Sequence, residues 1–176
     1  MSVNLKPQDI LVLLRLTLDA KKHKEEPAAS YAFLANELSM SPSEVHAAVK
    51  RAAVAELLNS KTRQVNKRPF YDFLIYGLSR SFPVKPGPLV RGMPTAYAAP
   101  PLASIIAKAS NEVPTVWPAP EGEVLGSEII PIYQSAPSAA KRNPELYELL
   151  ALTDTLRLGR ARDKEAAAAE FRKRLK

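Results

Sequence analysis

Residues 31–58 read YAFLANELSMSPSEVHAAVKRAAVAELL, and this stretch decides the fold. Phe33, Leu34 and Leu38 fall at helical spacing, and Ser39-Met40 breaks the run. Ser41 then stands three residues before Glu44. At that spacing each side chain can satisfy an orphan backbone N–H of the other residue at a helix start. Pro42 lies between them at the first helical position, where its missing N–H costs nothing. Val45, Val49, Ala52 and Ala53 form the expected buried stripe of the second helix, and His46, Ala47, Lys50 and Arg51 lie off it. A short helix, a brief turn and a longer helix with a small, basic outer face make a helix-turn-helix, whose second helix enters the major groove of DNA.

Upstream, a helix is expected from about Pro7 to Lys22. Ile10, Leu11, Leu13, Leu14, Leu16 and Leu18 make it apolar over most of its circumference, so it should be buried on more than one side. KKHKEEPAAS reads as a polar loop, with Pro27 preventing the first helix from running on and Ser30 capping the next. Downstream, NSKTRQVNKR holds four basic residues and no acidic one, and suits either a short wing or a basic loop. PFYDFLIYGLSRSF follows as a fourth helix, with Pro69 at its start and Phe70, Phe73, Leu74, Gly77 and Leu78 at three- and four-residue spacing.

The composition changes at Phe82-Pro83, and 12 of the 16 prolines lie between there and Pro144. Branched and aromatic residues persist through this segment, which is too hydrophobic for a disordered tail. It is expected to form an ordered, loop-rich layer with short strands near 89–92 and 126–133 and a short helix near 101–109. The chain then closes with helix: Asn143 caps, Pro144 opens, Leu146, Leu149, Leu150, Leu152 and Leu156 supply an apolar face, and Gly159 is a hinge or C-cap. KEAAAAEFRKRL continues with strong helix propensity. The expected architecture is therefore mainly α with minor β. A helix-turn-helix domain occupies 1–81, a Pro-rich irregular segment with short strands 82–142, and a helical segment 143–176.

The 176 residues carry a net charge of +7, and its distribution is uneven. Residues 1–81 hold 12 Lys/Arg against 8 Asp/Glu, residues 82–140 hold 3 against 4, and residues 141–176 hold 10 against 6. Positive ends, one of them carrying the helix-turn-helix, suit a polyanionic partner. The chain has no cysteine, which excludes disulfides and thiolate chemistry, and only two histidines, which argues against a zinc site. No signal peptide and no membrane span are recognisable, so the expected compartment is the cytoplasm. No phosphate-binding glycine loop, HExxH or GxSxG motif appears. No catalytic residue, metal or cofactor is therefore assigned, and an enzyme is not expected.

The candidate DNA-contacting residues follow from the helix-turn-helix reading. Lys50 and Arg51 reach guanine edges or phosphate, Ser43 and His46 donate to base edges or phosphates, and Ala47 permits close approach. Ser41 and the helix start it caps can meet a phosphate. Lys61, Arg63, Lys67 and Arg68 would hold phosphate or enter the minor groove if the basic segment is a wing. LVRGMPTAYAAPPL, residues 89–102, is either a structural arm or part of an anion pocket with Arg91, Tyr97 and Trp117; the arm is the favoured reading. Arg157, Arg160 and Arg162 are read as members of a solvated helix with local ion pairs.

The spacing of Leu34-Ala35, Leu38, Ser41, Val45 and Val49 resembles the helix-turn-helix of bacterial winged-helix transcriptional regulators of the MarR type. VRGMPTAYAAPPL, VWPAP and ELLALTDTLRLGRAR also resemble segments of bacterial proteins described as MarR-like. The chain departs from that pattern in lacking a long Gly-turned wing. The resemblance implies a homodimer reading a pseudo-palindromic double-stranded DNA site, with Ser43, His46, Lys50 and Arg51 at the recognition positions. The alternative expectation is a protein-interaction module, such as the neutralising partner of a toxin that also represses its own operon.

Overall fold

The computed structural model describes residues 3–22, 29–107 and 111–175. Helix α1 (Pro7–Lys22) is followed by α2 (Tyr31–Leu38) and α3 (Pro42–Val54). The polar loop expected before α2 lies largely outside the described residues, as do His23, Pro27 and Lys108. Ser30 accepts the Phe33 N–H and caps α2 as expected. Ser39 ends α2 at φ 52°, in the left-handed region, and so reverses the chain within three residues. Ser41 Oγ then accepts the Glu44 N–H at 3.2 Å. The reciprocal half of the expected capping box is a correction: the Glu44 carboxylate accepts instead from Gln8 Nε2 and Tyr133 OH, both at 3.1 Å. It thereby ties α3 to α1 and to the Pro-rich layer.

Val45, Ala48, Val49 and Ala52 form the buried stripe of α3, with Ala48 in the place expected of Ala53, which is only half-buried. The stripe packs on α1, whose residues from Asp9 to Leu18 are all buried because α7 covers its other side. A helix with core on two faces needs apolar residues nearly all round, and α1 has them.

After α3 a very short hairpin carries a single antiparallel bridge, Leu58 to Val65. The fourth helix is interrupted. It comprises α4 (Lys67–Asp72), a π-helical turn (Phe73–Gly77) and α5 (Leu78–Ser81), with Phe70, Leu74 and Leu78 on its buried stripe. It starts at Lys67, two residues before the expected Pro69.

The Pro-rich segment is ordered and makes three strands, β1 (Leu89–Pro94), β2 (Thr115–Pro118) and β3 (Val124–Glu128). β1 pairs antiparallel with both others, β2 and β3 pair in parallel, and the three strands close on themselves. β2 was not expected from the sequence, and the strand expected at 126–133 ends at Glu128. Of the helix expected near 101–109, the described residues form only a 3₁₀ turn at Leu102–Ser104. So tight a closure requires glycine: a Cβ on Gly92 would stand 2.0 Å from the Trp117 carbonyl oxygen, and one on Gly122 would stand 2.4 Å from Gly92 Cα.

Three helices complete the chain: α6 (Ala136–Arg142), α7 (Pro144–Leu158) and α8 (Ala161–Arg174). Asn143 caps α7 by accepting the Leu146 N–H, as expected. One hydrophobic cluster runs from α1 through α3, α4 and Trp117 to α7 and Phe171 of α8, so the three sequence segments share a core.

The clamp between the strands and α7 is polar and buried. Asp154, 1% exposed, accepts from Thr95 Oγ1 at 2.7 Å, Trp117 Nε1 at 2.6 Å and Arg157 Nη1 at 2.7 Å. Arg157 also donates to the carbonyls of Phe82 and Ile130. Arg157 is therefore buried, correcting the reading of it as part of a solvated helix. Burial pushes the Asp154 carboxyl above its ordinary range, while Arg157 and the two neutral donors pull the other way.

At the other end of the bundle Arg174 pairs with Glu148 of α7 at 2.7 Å and with Glu170 within α8. Lys173, with Arg174, holds the Glu170 carboxyl below the usual carboxylate range. A depressed folded-state value means that the stability contributed by ionised Glu170 is present above the unfolded-state value and lost as the pH falls through the folded one. Glu170→Gln is therefore expected to lower the melting temperature at pH 7, by a deficit that shrinks as the pH falls below the ordinary carboxylate range. Thermal melts across that window check this, and a deficit that persists undiminished in acid would count against it.

Candidate nucleic-acid interface

The outward face of α3 is defined by what its inward face must do. With Val45, Ala48, Val49 and Ala52 committed to the core, Ser43, His46, Ala47 and Lys50 fall on the opposite side at positions i, i+3, i+4 and i+7. Ser43, His46 and Lys50 are exposed and Ala47 is half-buried. Among the described residues, the Pro-rich layer meets α3 at its edge, through the Tyr133–Glu44 hydrogen bond, and leaves this stripe open. Ser41 is exposed too, 3.0 Å from Ser43 Oγ, at the positive end of the helix dipole.

One side chain expected on this face, and one expected on the basic segment after α3, are turned inward. Arg51 turns inward to Asp9, with Nε 2.9 Å from Oδ2 and Nη2 2.6 Å from Oδ1. Asp9 is fully buried in the first turn of α1, and a buried carboxylate without a cation is costly, so the guanidinium is consumed by the fold. Arg51 thus faces α1 and not the outward side, correcting its expected place among the base-reading side chains. Arg63 is likewise drawn in: it donates to the Ala29 carbonyl at 2.8 Å and lies over the Tyr31 ring at 4.8 Å. His46 meets the same ring edge-on at 5.1 Å between centroids. Tyr31 thus links the start of α2, the middle of α3 and the hairpin. The sequence reading passed over it, since a tyrosine opening a helix carries no distinctive signal.

The segment read as either a short wing or a basic loop is the short hairpin after α3. Asn59 Oδ1 accepts the Lys61 N–H, and the Lys61 side chain is exposed. Asn66 Nδ2 donates to the Glu56 carbonyl at 2.7 Å, which ties the hairpin base to the end of α3. Lys67 and Arg68 follow at once; Arg68 is exposed beside Asp72 at 3.3 Å, and Lys67 is half-buried. Arg142 of α6 donates to the Asn36 carbonyl at 2.6 Å and to Ser39 Oγ at 3.0 Å. A cation at the C-terminal carbonyls of α2 suits the helix dipole and fixes the turn that aims α3.

The anion pocket considered for Arg91, Tyr97 and Trp117 does not form. Trp117 is buried on Asp154, Arg91 is exposed on β1, and Tyr97 OH donates to the Val113 carbonyl. Among the described residues no group of three or more His, Cys, Asp and Glu side chains could hold a metal ion, and no helix is long and apolar enough to cross a membrane. The arrangement is mainly α with minor β: the short α2, a tight turn and the longer α3 packed with the other helices and a small closed sheet. No family model matches the chain, and no curated protein or solved structure matches it.

Proposed function

We propose that the protein is a sequence-specific double-stranded DNA-binding transcriptional regulator that reads the major groove with α3. The observation carrying this is the open stripe Ser43, His46, Ala47 and Lys50 on a helix locked to its frame by Arg51–Asp9 and Glu44–Tyr133. Base readout needs side chains positioned by something rigid behind them, and these two contacts supply it. Lys61, Lys67 and Arg68 add phosphate contacts beyond the end of α3. The homodimer and the two-fold site enter this proposal through the MarR-type resemblance, and the cytoplasmic location through the sequence reading.

Binding to a random-sequence duplex pool at two salt concentrations, with sequencing of the retained fraction, tests the proposal. Lys50→Ala is expected to weaken selected-site binding by roughly 5- to 150-fold if Lys50 meets a base, corresponding to about 1–3 kcal/mol. If it meets a phosphate, the salt slope is expected to fall by about one. Arg51→Ala is expected to reduce melting temperature instead, because it strands the Asp9 carboxylate. No salt-sensitive duplex binding, together with co-purification of a stoichiometric acidic protein, would favour the interaction-module reading.

A further inference from the structure

The cleft between α4 and α8, which Tyr71 bridges by donating its hydroxyl to the Ala168 carbonyl, is lined in an unusual way. Lys67, Arg68, Tyr71, Asp72, Tyr76 and Arg172 surround a space of about 500 Å³. That volume lies within the range of ligand clefts. Tyr71 and Tyr76 are five residues apart, and in a regular α-helix such residues point roughly 140° away from each other. They line one cleft because the π-helical turn Phe73–Gly77 intervenes and widens the repeat. Tyr76 is 69% exposed, a large ring left in water. Arg172 lies over the Tyr71 ring at 5.6 Å and donates to its hydroxyl at 3.1 Å, so its planar fork is oriented before any ligand arrives.

We infer that this cleft binds a nucleotide unit, with the phosphate held by Arg172, Arg68 and Lys67 and the base stacked on Tyr76. Three cations against one carboxylate select an anion, and an exposed ring beside an oriented guanidinium selects an anion that also carries a flat π-face. Stacking of a base on an aromatic side chain tolerates any base. The unit can belong to a nucleic-acid strand or to a free nucleotide. Because α4 begins next to the residue that ties the hairpin to α3, a strand leaving α3 could reach it. The inference does not depend on α3 reading DNA.

The test uses the full chain and two probes, a fluorescein-labelled oligothymidylate and a fluorescent adenine nucleotide, followed by anisotropy. At least one is expected to bind. Tyr76→Ala and Arg172→Ala are each expected to weaken it by roughly tenfold or more, and Tyr76→Phe to retain it. Lys50→Ala, expected to impair duplex selection, should leave this binding intact, which separates failure here from failure on α3. Both altered side chains are exposed, and circular dichroism of each variant verifies the fold. Binding of the oligonucleotide alone assigns the site to a strand, and binding of the mononucleotide as well assigns it to a small ligand. No binding of either probe, or equal affinity in either alanine variant, overturns the assignment.

Discussion

Asp154→Ala is expected to destabilise the protein by about 3–5 kcal/mol, the range for removing one partner from a buried ion pair. The carboxylate is the shared acceptor for Thr95, Trp117 and Arg157, so its loss strands three buried donors at once. Arg157 retains the carbonyls of Phe82 and Ile130 but no counter-charge in this network. By comparison, an exposed pair such as Lys141–Glu121 contributes little, because solvent screens it. A chain of this length loses roughly 2–4 °C for each kcal/mol, so the melting temperature should drop on the order of 10 °C. The near-ultraviolet signal of Trp117 should change with it, since the indole loses its hydrogen-bond acceptor. A melting temperature within about 2 °C of the parent would mean that the strands are not clamped to α7 through this carboxylate.

Gly92→Ala is expected to have an effect of comparable size by a different route. The added methyl would stand 2.0 Å from the Trp117 carbonyl oxygen and 2.8 Å from its carbon, and backbone atoms paired in a strand cannot swing aside as a side chain can. Gly92 pairs with Pro118 of β2 and Val124 of β3, so any retreat opens both ladders. Overpacking usually costs about 1–3 kcal/mol, and a clash with backbone on a closed sheet belongs at the upper end. Denaturant titration measures the loss. The strand amides of β1 and β2 should also exchange faster with solvent, while those of α1 and α3 should not exceed the increase set by global stability. Unchanged stability would mean that the strands have slack the geometry does not show.

The sequence was most readable where a local signal sufficed. Ser30, Ser41 with Pro42, and Asn143 with Pro144 each announce a helix start by chemistry within four residues, and the starts of α2, α3 and α7 fall where expected. The apolar run from Ile10 to Leu18 likewise predicted a helix covered on two sides. Non-local pairings were hidden. β2 is four residues long and bounded by Pro114 and Pro118, so nothing in it alternates long enough to read as a strand. Arg157, three residues after an aspartate on a helix, has the spacing of a surface pair. Only the approach of Thr95 and Trp117 from the Pro-rich layer reveals a buried one.

The same limit applied to the proposed interface. The open face of α3 followed from periodicity, but Arg51 could not be separated from Lys50 without a view of α1 from behind. Asp9, an acid in the first turn of a helix otherwise built for burial, was the available sign that a cation would be drawn inward. Glu44 had two plausible fates, a cap or a tertiary tie. Tyr133 and Gln8, distant in sequence, decided between them.

The circular pairing of β1, β2 and β3 limits how copies of this molecule can associate. Each of the three strands pairs with both of the others, so no one of these described strands is an edge along its whole length to which a neighbour's strand could add. Self-association through this region therefore falls mainly to side chains. Leu89 and Leu125, on the outside of that ring, and the exposed helical surfaces are where such a contact has room to form.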